Sequence, residues 1–334
     1  MPTSGATCWK APPARATEVL RRLAGAAALL VAGAAAAQEA DGGPEYASQE
    51  QLCEREFSQL RDALDASRLQ MTVVASDAGG HSPYVMLRAR IRGMSYVSWE
   101  HLNGEIRGYA LRDLSGYDYS RDRNYAGALT VHPTRIWDRL FDSGTGLRGY
   151  SCVIAGRTRL MGRRVSLIKL TPRDGLRFVY VVAKDDENAL PVELAVVDPV
   201  QAKLAAKFTV VRTEFIDPSA SFEVNDALHD RYASPPPPPA PAAGPGEFRI
   251  PEDFTLVDSG SIDDPEQGGA SCTYQMYSDG ILTFQVFRAR GGSNYFPVAS
   301  HGPVLVLKKQ ARLHEYTVVG EIPPALAEYV LSRL

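Results

Sequence analysis

Histidines and an acidic turn are the residues most able to hold a metal ion. The six histidines are His81, His101, His132, His229, His301 and His314. None forms an H-E-x-x-H pair, and His314 and Glu315 are neighbours on a predicted strand, where adjacent side chains face opposite ways. The run Asp185-Asp186-Glu187 predicts a solvated turn, with weak calcium binding as the alternative. We expect no metal site and no cofactor.

Nucleotide-binding and nucleophile motifs are the next candidates. The segment GTGLRG, Gly144 to Gly149, matches G-x-G-x-x-G, but a predicted helix precedes it and a predicted strand follows it, the reverse of a dinucleotide site. No G-x-S-x-G motif occurs. Cys53 lies on a predicted helix without a histidine near it in the sequence. The sequence therefore predicts no catalytic residue, and we expect the chain not to be an enzyme.

The first 37 residues predict an exported protein. Basic residues, an Ala/Leu/Val run and Ala35-Ala36-Ala37 follow one another in the order of a secretory signal peptide, with cleavage expected after Ala37. The apolar run has only about fifteen residues, fewer than a membrane anchor needs. Cleavage would change the formal charge from −3 to −6, because the segment holds four basic residues and one acidic residue. We expect a periplasmic location and no nucleic-acid partner, since such partners favour a basic face.

Three cysteines remain after such cleavage: Cys53, Cys152 and Cys272. An odd number allows at most one disulfide among them, with three possible pairings. An exported compartment permits a disulfide. Buried, unpaired thiols are the alternative, and the spacing does not resemble a zinc motif.

A proline-rich segment divides the rest of the chain. Ser234 to Gly246 reads SPPPPPAPAAGPG, which favours an extended polyproline II spacer; a ligand for a proline-recognition domain is the alternative. We predict a first domain over residues 45–218, a linker over 219–246 and a second domain over 247–334.

The hydrophobic periodicity predicts an α+β fold in both domains. The first helix, Ser48 to Ser67, carries Cys53, Phe57, Leu60 and Leu64 on one stripe, and a short helix is expected near Pro133 to Phe141. Nine strands are predicted between Leu69 and Phe215, punctuated by turn residues. Many successive strands with two helices indicate a strongly curved or barrel-like antiparallel sheet. In the second domain we predict four strands between Ser271 and Val319, and a last helix from Ala325 to Leu334.

Apolar residues on the strands of the first domain are candidates for a ligand cavity. If the concave face of the sheet is lined by alternating apolar side chains, it could hold an acyl chain. The alternative is that the same residues fill a packed core. The candidate lipid-cavity residues are Val73, Met86, Val97, Leu167 and Val179.

Three segments resemble the RseB/MucB family of periplasmic sigma-E regulators. They are GYSCVIAGRTRLMGRRVSLIKLTPRDGLRFVYVVAKDDENALPVELAVVD (Gly149 to Asp198), YSDGILTFQVF (Tyr277 to Phe287) and YTVVGEIPPALAEYVLSRL (Tyr316 to Leu334). Their common order makes the resemblance more specific than any one of them. It implies an unclosed antiparallel barrel like the lipoprotein carrier LolA, followed by a smaller α+β domain.

The resemblance also implies a function. Members of this family bind the periplasmic part of the anti-sigma factor RseA or MucA, shield it from the site-1 protease DegS, and are released by lipopolysaccharide or mislocalised lipid; they are not enzymes. The candidate partner-binding residues are Tyr277, Ser278, Asp279, Gly280, Val318, Gly320 and Glu321. A homodimer is possible. A periplasmic lipid or lipoprotein carrier of LolA type is the alternative function, but such a carrier would not require the second domain.

Overall fold

Two antiparallel sheets and three helices make up the described part of the chain. The computed structural model describes residues 44–91, 93–112, 115–120, 122–126, 131–217, 248–264, 270–290 and 298–334. The predicted fold class is confirmed: an unclosed, curved antiparallel sheet with few helices is followed by a smaller α+β domain. The expected signal peptide and the expected linker lie outside the described residues.

The larger sheet contains eleven strands in the order β6-β5-β4-β3-β2-β1-β11-β10-β9-β8-β7. The strands are β1 (Leu69–Asp77), β2 (Gly80–Ile91), β3 (Met94–His101), β4 (Gly108–Arg112), β5 (Ser115–Asp118), β6 (Arg123–Ala126), β7 (Tyr150–Leu160), β8 (Arg163–Pro172), β9 (Val179–Asp185), β10 (Pro191–Val197) and β11 (Leu204–Phe215). The strands β6 and β7 form the two ends and do not pair with each other, so the barrel stays open.

Two helices cover one face of this sheet. The helix α1 (Pro44–Ala66) buries the predicted stripe of Cys53, Phe57, Leu60 and Leu64 completely or almost completely. The short helix α2 (Arg135–Leu140) precedes β7 and buries Trp137 and Leu140 in the same apolar cluster. Both helices therefore supply the core of the first domain, as their 3.6-residue periodicity predicted.

A disulfide ties the first helix to the sheet. Cys53 on α1 and Cys152 on β7 are bonded, with their Cα atoms 5.6 Å apart. This is one of the three pairings that the sequence left open. Because α1 lies at the beginning of the domain and β7 is an end strand of the sheet, the bond closes a long loop of chain.

The smaller sheet follows the order β12-β13-β14-β17-β16-β15. Its strands are β12 (Thr255–Asp264), β13 (Ala270–Ser278), β14 (Thr283–Arg290), β15 (Val298–His301), β16 (Val304–Ala311) and β17 (His314–Glu321), and α3 (Pro324–Val330) follows. The helix begins after Pro323 and buries Leu326, Ala327 and Val330. The largest apolar cluster contains residues of both domains, including Phe178 and Phe284.

Four strands were missing from the sequence prediction. The strands β5 and β6 have four residues each, too few to establish a period. All four residues of β15 are exposed, and in β12 the segment Asp258 to Asp264 has only one large apolar residue, Ile262. The two strands β12 and β15 lie at the ends of their sheet, where one side of a strand has no neighbour and apolar alternation is weak.

Candidate functional site

Buried polar contacts surround the short helix α2. Asp138 on this helix accepts hydrogen bonds from Trp99 Nε1 at 2.8 Å and from the Tyr109 hydroxyl at 2.7 Å, and Arg135 Nη1 lies 2.9 Å from the same carboxylate. Trp99 and Tyr109 come from β3 and β4. Burial raises the pKa of Tyr109 well above its usual range, so the phenol stays protonated and can donate. The network fixes α2 on the sheet, because Asp138 accepts hydrogen bonds from side chains of two different strands.

A pocket of about 320 Å³ lies between α2 and strands β2 to β4. Its lining mixes charged and apolar side chains: Arg88, Arg90, Ser95, Val97, Leu111, Arg135, Asp138, Arg139 and Asp142. The volume is at the lower limit of small-molecule pockets. Charged groups rather than a continuous apolar surface therefore line this pocket.

The pocket is connected to the second domain through Arg139. Arg139 Nη1 lies 2.5 Å from Glu321 Oε2, and Glu321 Oε1 accepts the backbone N–H of His132 at 2.9 Å. Both side chains are buried, at 10% and 1% exposure. We call this ion pair the Arg139–Glu321 contact. It joins the helix that covers the sheet of the first domain to the last strand of the second.

A second ion-pair cluster joins the two domains through Arg177. The guanidinium is 1% exposed and contacts Asp253 at 2.9 Å and Asp279 at 3.2 Å, both from the second domain, as well as Asp174 at 3.3 Å. The ring of Phe254 lies 5.2 Å from it. Burial raises the pKa of Asp279, while its oxygen Oδ1 accepts the backbone N–H groups of residues 281 and 282. A buried cation thus holds carboxylates of the second domain.

The candidate partner-binding residues lie in or near this domain contact. Asp279 and Glu321 are ion-paired with the first domain, and a Cβ added at Gly280 would lie 3.0 Å from Thr145. Tyr277 and Val318 are buried. A Cβ at Gly320 would overlap the carbonyl oxygen of Thr283 on the neighbouring strand β14. In this structure the carboxylates of Asp279 and Glu321 are both used in contacts within the molecule.

The candidate cavity residues divide between the two faces of the large sheet. Val73 and Met86 are buried in the apolar cluster under the helices, and Val97 lines the pocket. Leu167 and Val179 do not join them. Leu167 packs on the opposite face with Val165 and Ala183, and the cluster instead contains the next residues along each strand, Ile168 and Tyr180. In each of these two strands, the residue that faces the helices is the next one after the predicted residue. A shift of one residue changes the face of the sheet, because side chains alternate along a strand.

Sequence reasoning did not identify the arginines that join the domains. Arg177 lies in a predicted strand, and Arg139 lies in a predicted helix with an apolar face. Their partners lie far away in the sequence, 182 residues away for Glu321 and 76 for Asp253. No motif or spacing in the sequence connects either arginine with its acidic partner.

The described residues contain no group of three or more His, Cys, Asp or Glu side chains arranged to hold a metal ion. Among the helices that could be searched, none is long and apolar enough to cross a membrane.

Family profiles match both halves of the chain. Residues 54–227 match the MucB/RseB N-terminal domain, and residues 248–334 match the MucB/RseB C-terminal domain. The sigma-E factor regulatory protein RseB of Escherichia coli K12 is 25% identical over 197 residues, which are 55% of this chain and 59% of that protein. RseB of Haemophilus influenzae is 26% identical over 305 residues, 86% of this chain and 93% of its own length. The chain thus spans about 59% of the length of the Escherichia coli relative.

Solved structures show the same fold. MucB in complex with MucA(peri) matches with a TM-score of 0.59 and 20% identity, over 84% of this chain and 97% of that one. MucB alone matches with a TM-score of 0.53 and 19% identity, over 85% of this chain and 97% of that one.

Proposed function

This chain belongs to the MucB/RseB family, and from that premise we propose that it binds the periplasmic part of a membrane-spanning anti-sigma factor related to MucA or RseA. The observation that carries the proposal is the match of both family profiles, one to each half of the chain. The relatives named RseB, and MucB in its complex with MucA, support the same partner. The chain would act in the periplasm as a negative regulator of the sigma-E response.

The proposed action is reversible binding without covalent chemistry. A bound anti-sigma factor would be shielded from site-1 proteolysis, so that sigma-E stays inactive. Shielding requires that the bound segment be held in a conformation that the protease cannot cleave. The contact between the described domains supports this role, because its buried ion pairs favour one relative arrangement of the two domains.

The candidate partner-binding residues are assigned to this mechanism as positioning residues. Asp279 and Glu321 hold the second domain against Arg177 and Arg139. Their ion pairs thereby also position the turn that contains Gly280 and the end of strand β17. We propose that the anti-sigma factor recognises the arrangement in which both contacts are closed. Loss of either contact would then weaken binding without removing a residue that touches the partner.

Lipid release is proposed to act through α2. An acyl chain that enters between this helix and the sheet must displace Trp137 and Leu140, which fill that space. Moving α2 also moves Arg139, and the Arg139–Glu321 contact opens. Lipid would therefore favour a domain arrangement that the anti-sigma factor binds less well, and the shift cannot exceed the difference in lipid affinity between the two arrangements.

Capture on the immobilised periplasmic segment of the organism's anti-sigma factor tests the proposal. The wild-type protein should be retained and should be eluted by lipopolysaccharide, and the retained segment should resist the site-1 protease. A carrier of LolA type would bind lipid without being captured. Failure of capture in the absence of lipid would remove the regulator function, whereas capture that lipid does not reverse would remove only the release step.

A matched pair of variants tests the domain contact. Glu321→Gln removes the charge that holds Arg139, and we expect capture to weaken about 10-fold, a typical coupling between sites. Glu105→Gln is the control, because Glu105 pairs with Arg107 on the surface, where its side chain is 88% exposed. Equal capture by both variants, with both folded as judged by thermal unfolding, would contradict the assigned role of the contact.

A further inference from the structure

A hairpin at the open end of the large sheet carries four arginines. The strands β7 and β8 meet in a turn at Met161 and Gly162, and residues 157–164 include Arg157, Arg159, Arg163 and Arg164. We call residues 157–164 the basic hairpin. Because β7 is an end strand, nothing in the large sheet pairs with its outer edge. The chain as a whole has a formal charge of −3, so this positive charge is local.

Three of these arginines share one face of the hairpin. Arg159 lies directly opposite Arg164 in the strand register, and Arg157 is two residues from Arg159 on the same strand. All three are exposed, and no ion pair joins any of them to a carboxylate within the described residues. Arg159 donates only to the carbonyl oxygen of Gly162, at 3.4 Å. Like charges directly opposite each other destabilise a strand pair, so Arg159 and Arg164 lower the local stability of this hairpin.

The backbone of the turn between the two strands also lowers the stability of the hairpin. Met161 has a φ of 47° and Gly162 a φ of 80°, so both adopt the left-handed conformation of a tight hairpin turn. Glycine adopts it freely, but a methionine does so at a cost in free energy. The Met161 side chain is 57% exposed and contributes no core contact that would offset this cost. An apolar side chain is thus held at the tip of a short, rigid and positively charged projection.

We propose that the basic hairpin docks on an anionic phospholipid surface. Guanidinium groups bind phosphate oxygens through paired hydrogen bonds, and three of them on one face would bind neighbouring headgroups. Contact with phosphates also removes the repulsion between Arg159 and Arg164. The thioether side chain of Met161 projects beyond the arginines, where it would enter the boundary between headgroups and acyl chains. Arg163 stands apart, because its guanidinium lies 3.7 Å from Asp185.

An acidic peptide is the competing occupant for the same charges. It would neutralise the arginines, but it offers no apolar phase for a single side chain at the tip of a turn. The combination of unpaired arginines with an exposed methionine therefore favours the lipid surface. This inference is independent of the anti-sigma factor, since it uses residues outside the contact between the domains.

Co-sedimentation with vesicles tests the inference. The chain from Gln38 onward, as it would remain after cleavage, is mixed with vesicles of phosphatidylethanolamine and phosphatidylglycerol or of phosphatidylcholine alone. We expect binding to the anionic vesicles only, and weaker binding at high salt. The variant Arg157→Gln/Arg159→Gln/Arg164→Gln should bind on the order of 100-fold less, the product of three basic contacts with an anionic surface. The control is Arg107→Gln/Arg212→Gln/Arg333→Gln, which removes the same charge from three other exposed positions.

A single substitution separates the methionine from the charges. Met161→Asn keeps the turn, because asparagine tolerates the left-handed conformation, and it removes the apolar side chain. We expect vesicle binding to fall about 10-fold with no loss of thermal stability, in line with losing one partly inserted apolar side chain. The lipid inference is overturned if the wild type does not sediment with anionic vesicles, or if the two triple variants lose binding equally. Loss of anti-sigma-factor capture by the hairpin variant, with no vesicle binding by the wild type, would identify an acidic peptide as the occupant instead.

Discussion

Arg177 shows at the scale of one residue how the two domains are joined. Its guanidinium is almost completely buried, and its partners Asp253 and Asp279 come from the second domain. A buried charge is expensive to place in the interior, and a buried pair adds little net stability. Removing one member is different, because the other charge then stays buried without compensation. The pair therefore makes the domain contact specific more than it makes it strong.

The variant Arg177→Met should lower the free energy of unfolding by about 3 kcal/mol, because it leaves Asp279 buried and unpaired. Urea denaturation measures the change. Adding Asp279→Asn should recover part of the loss, since the amide is uncharged and its oxygen can still accept the backbone N–H groups of residues 281 and 282. A single variant as stable as the wild type would contradict a buried ion pair between Arg177 and Asp279.

His132 is a partly buried base beside the Arg139–Glu321 contact. Burial, with smaller effects of His301, Arg135 and His101, lowers its pKa to about 3. Its Nδ1 accepts the backbone N–H of Thr134 at 3.3 Å, which is consistent with a neutral ring. The unfolded chain has the ordinary pKa near 6.5, so below that pH the unfolded state binds a proton that the folded state does not. Stability from this residue is present at neutral pH and is lost as the pH falls.

We predict that the free energy of unfolding falls by about 1 to 2 kcal/mol more between pH 7 and pH 5 in the wild type than in His132→Asn, in line with one proton per molecule. Asparagine can accept the same backbone N–H and does not titrate. Chemical denaturation at a series of pH values measures the difference. Parallel pH profiles would show that His132 is protonated in the folded protein.

At the scale of residues, the sequence predicted no metal or nucleotide site, and it could not identify the residues that join the domains. Scattered histidines and a misplaced glycine motif already argued against a metal or nucleotide site. Arg139 and Arg177 were not predictable, because a buried ion pair depends on which side chains the tertiary fold brings together. The only sequence signal near them was the resemblance of the segments 149–198 and 277–287 to the family.

At the scale of elements, the disulfide couples the first helix to an end of the open sheet. Cys53 and Cys152 are 99 residues apart, and both are buried. An end strand has only one neighbour to hold it, so a covalent bond to α1 restrains β7 against fraying. The basic hairpin continues directly from this strand.

The double variant Cys53→Ala/Cys152→Ala should lower the free energy of unfolding by about 3 to 5 kcal/mol, the range expected for a closed loop of roughly 100 residues. Guanidinium unfolding measures this loss. Reduction of the wild type should lower the free energy of unfolding by at least a similar amount. A double variant as stable as the oxidised wild type would contradict a structural role for the bond.

Elements were predictable where their periodicity was long. The α1 stripe repeats over three turns, and it was predicted with the correct residues. For strand β8, the residue that faces the helices is Ile168 and not the predicted Leu167. Leu167 and Ile168 are both apolar, so the alternation of polar and apolar residues does not show which one faces inward. Short and polar strands were missed, since their formation depends on neighbours supplied by the rest of the sheet.

At the scale of the whole molecule, we propose that two binding equilibria depend on one domain arrangement. The Arg139–Glu321 contact and the Arg177 cluster close the domains, and the anti-sigma factor is proposed to bind this closed arrangement. Lipid under α2 is proposed to open it. The two ligands then oppose each other without sharing a site, and by linkage each weakens the other by the same factor. A lipid surface at the basic hairpin would orient the molecule without entering this balance.

Calorimetric titration of the anti-sigma factor's periplasmic segment into the protein, with and without lipopolysaccharide, tests the central claim most directly. We predict saturable binding without lipid and an affinity lowered about 10-fold by lipid, within the range of typical allosteric coupling. Absence of saturable binding in the lipid-free titration would contradict the claim that this chain holds an anti-sigma factor.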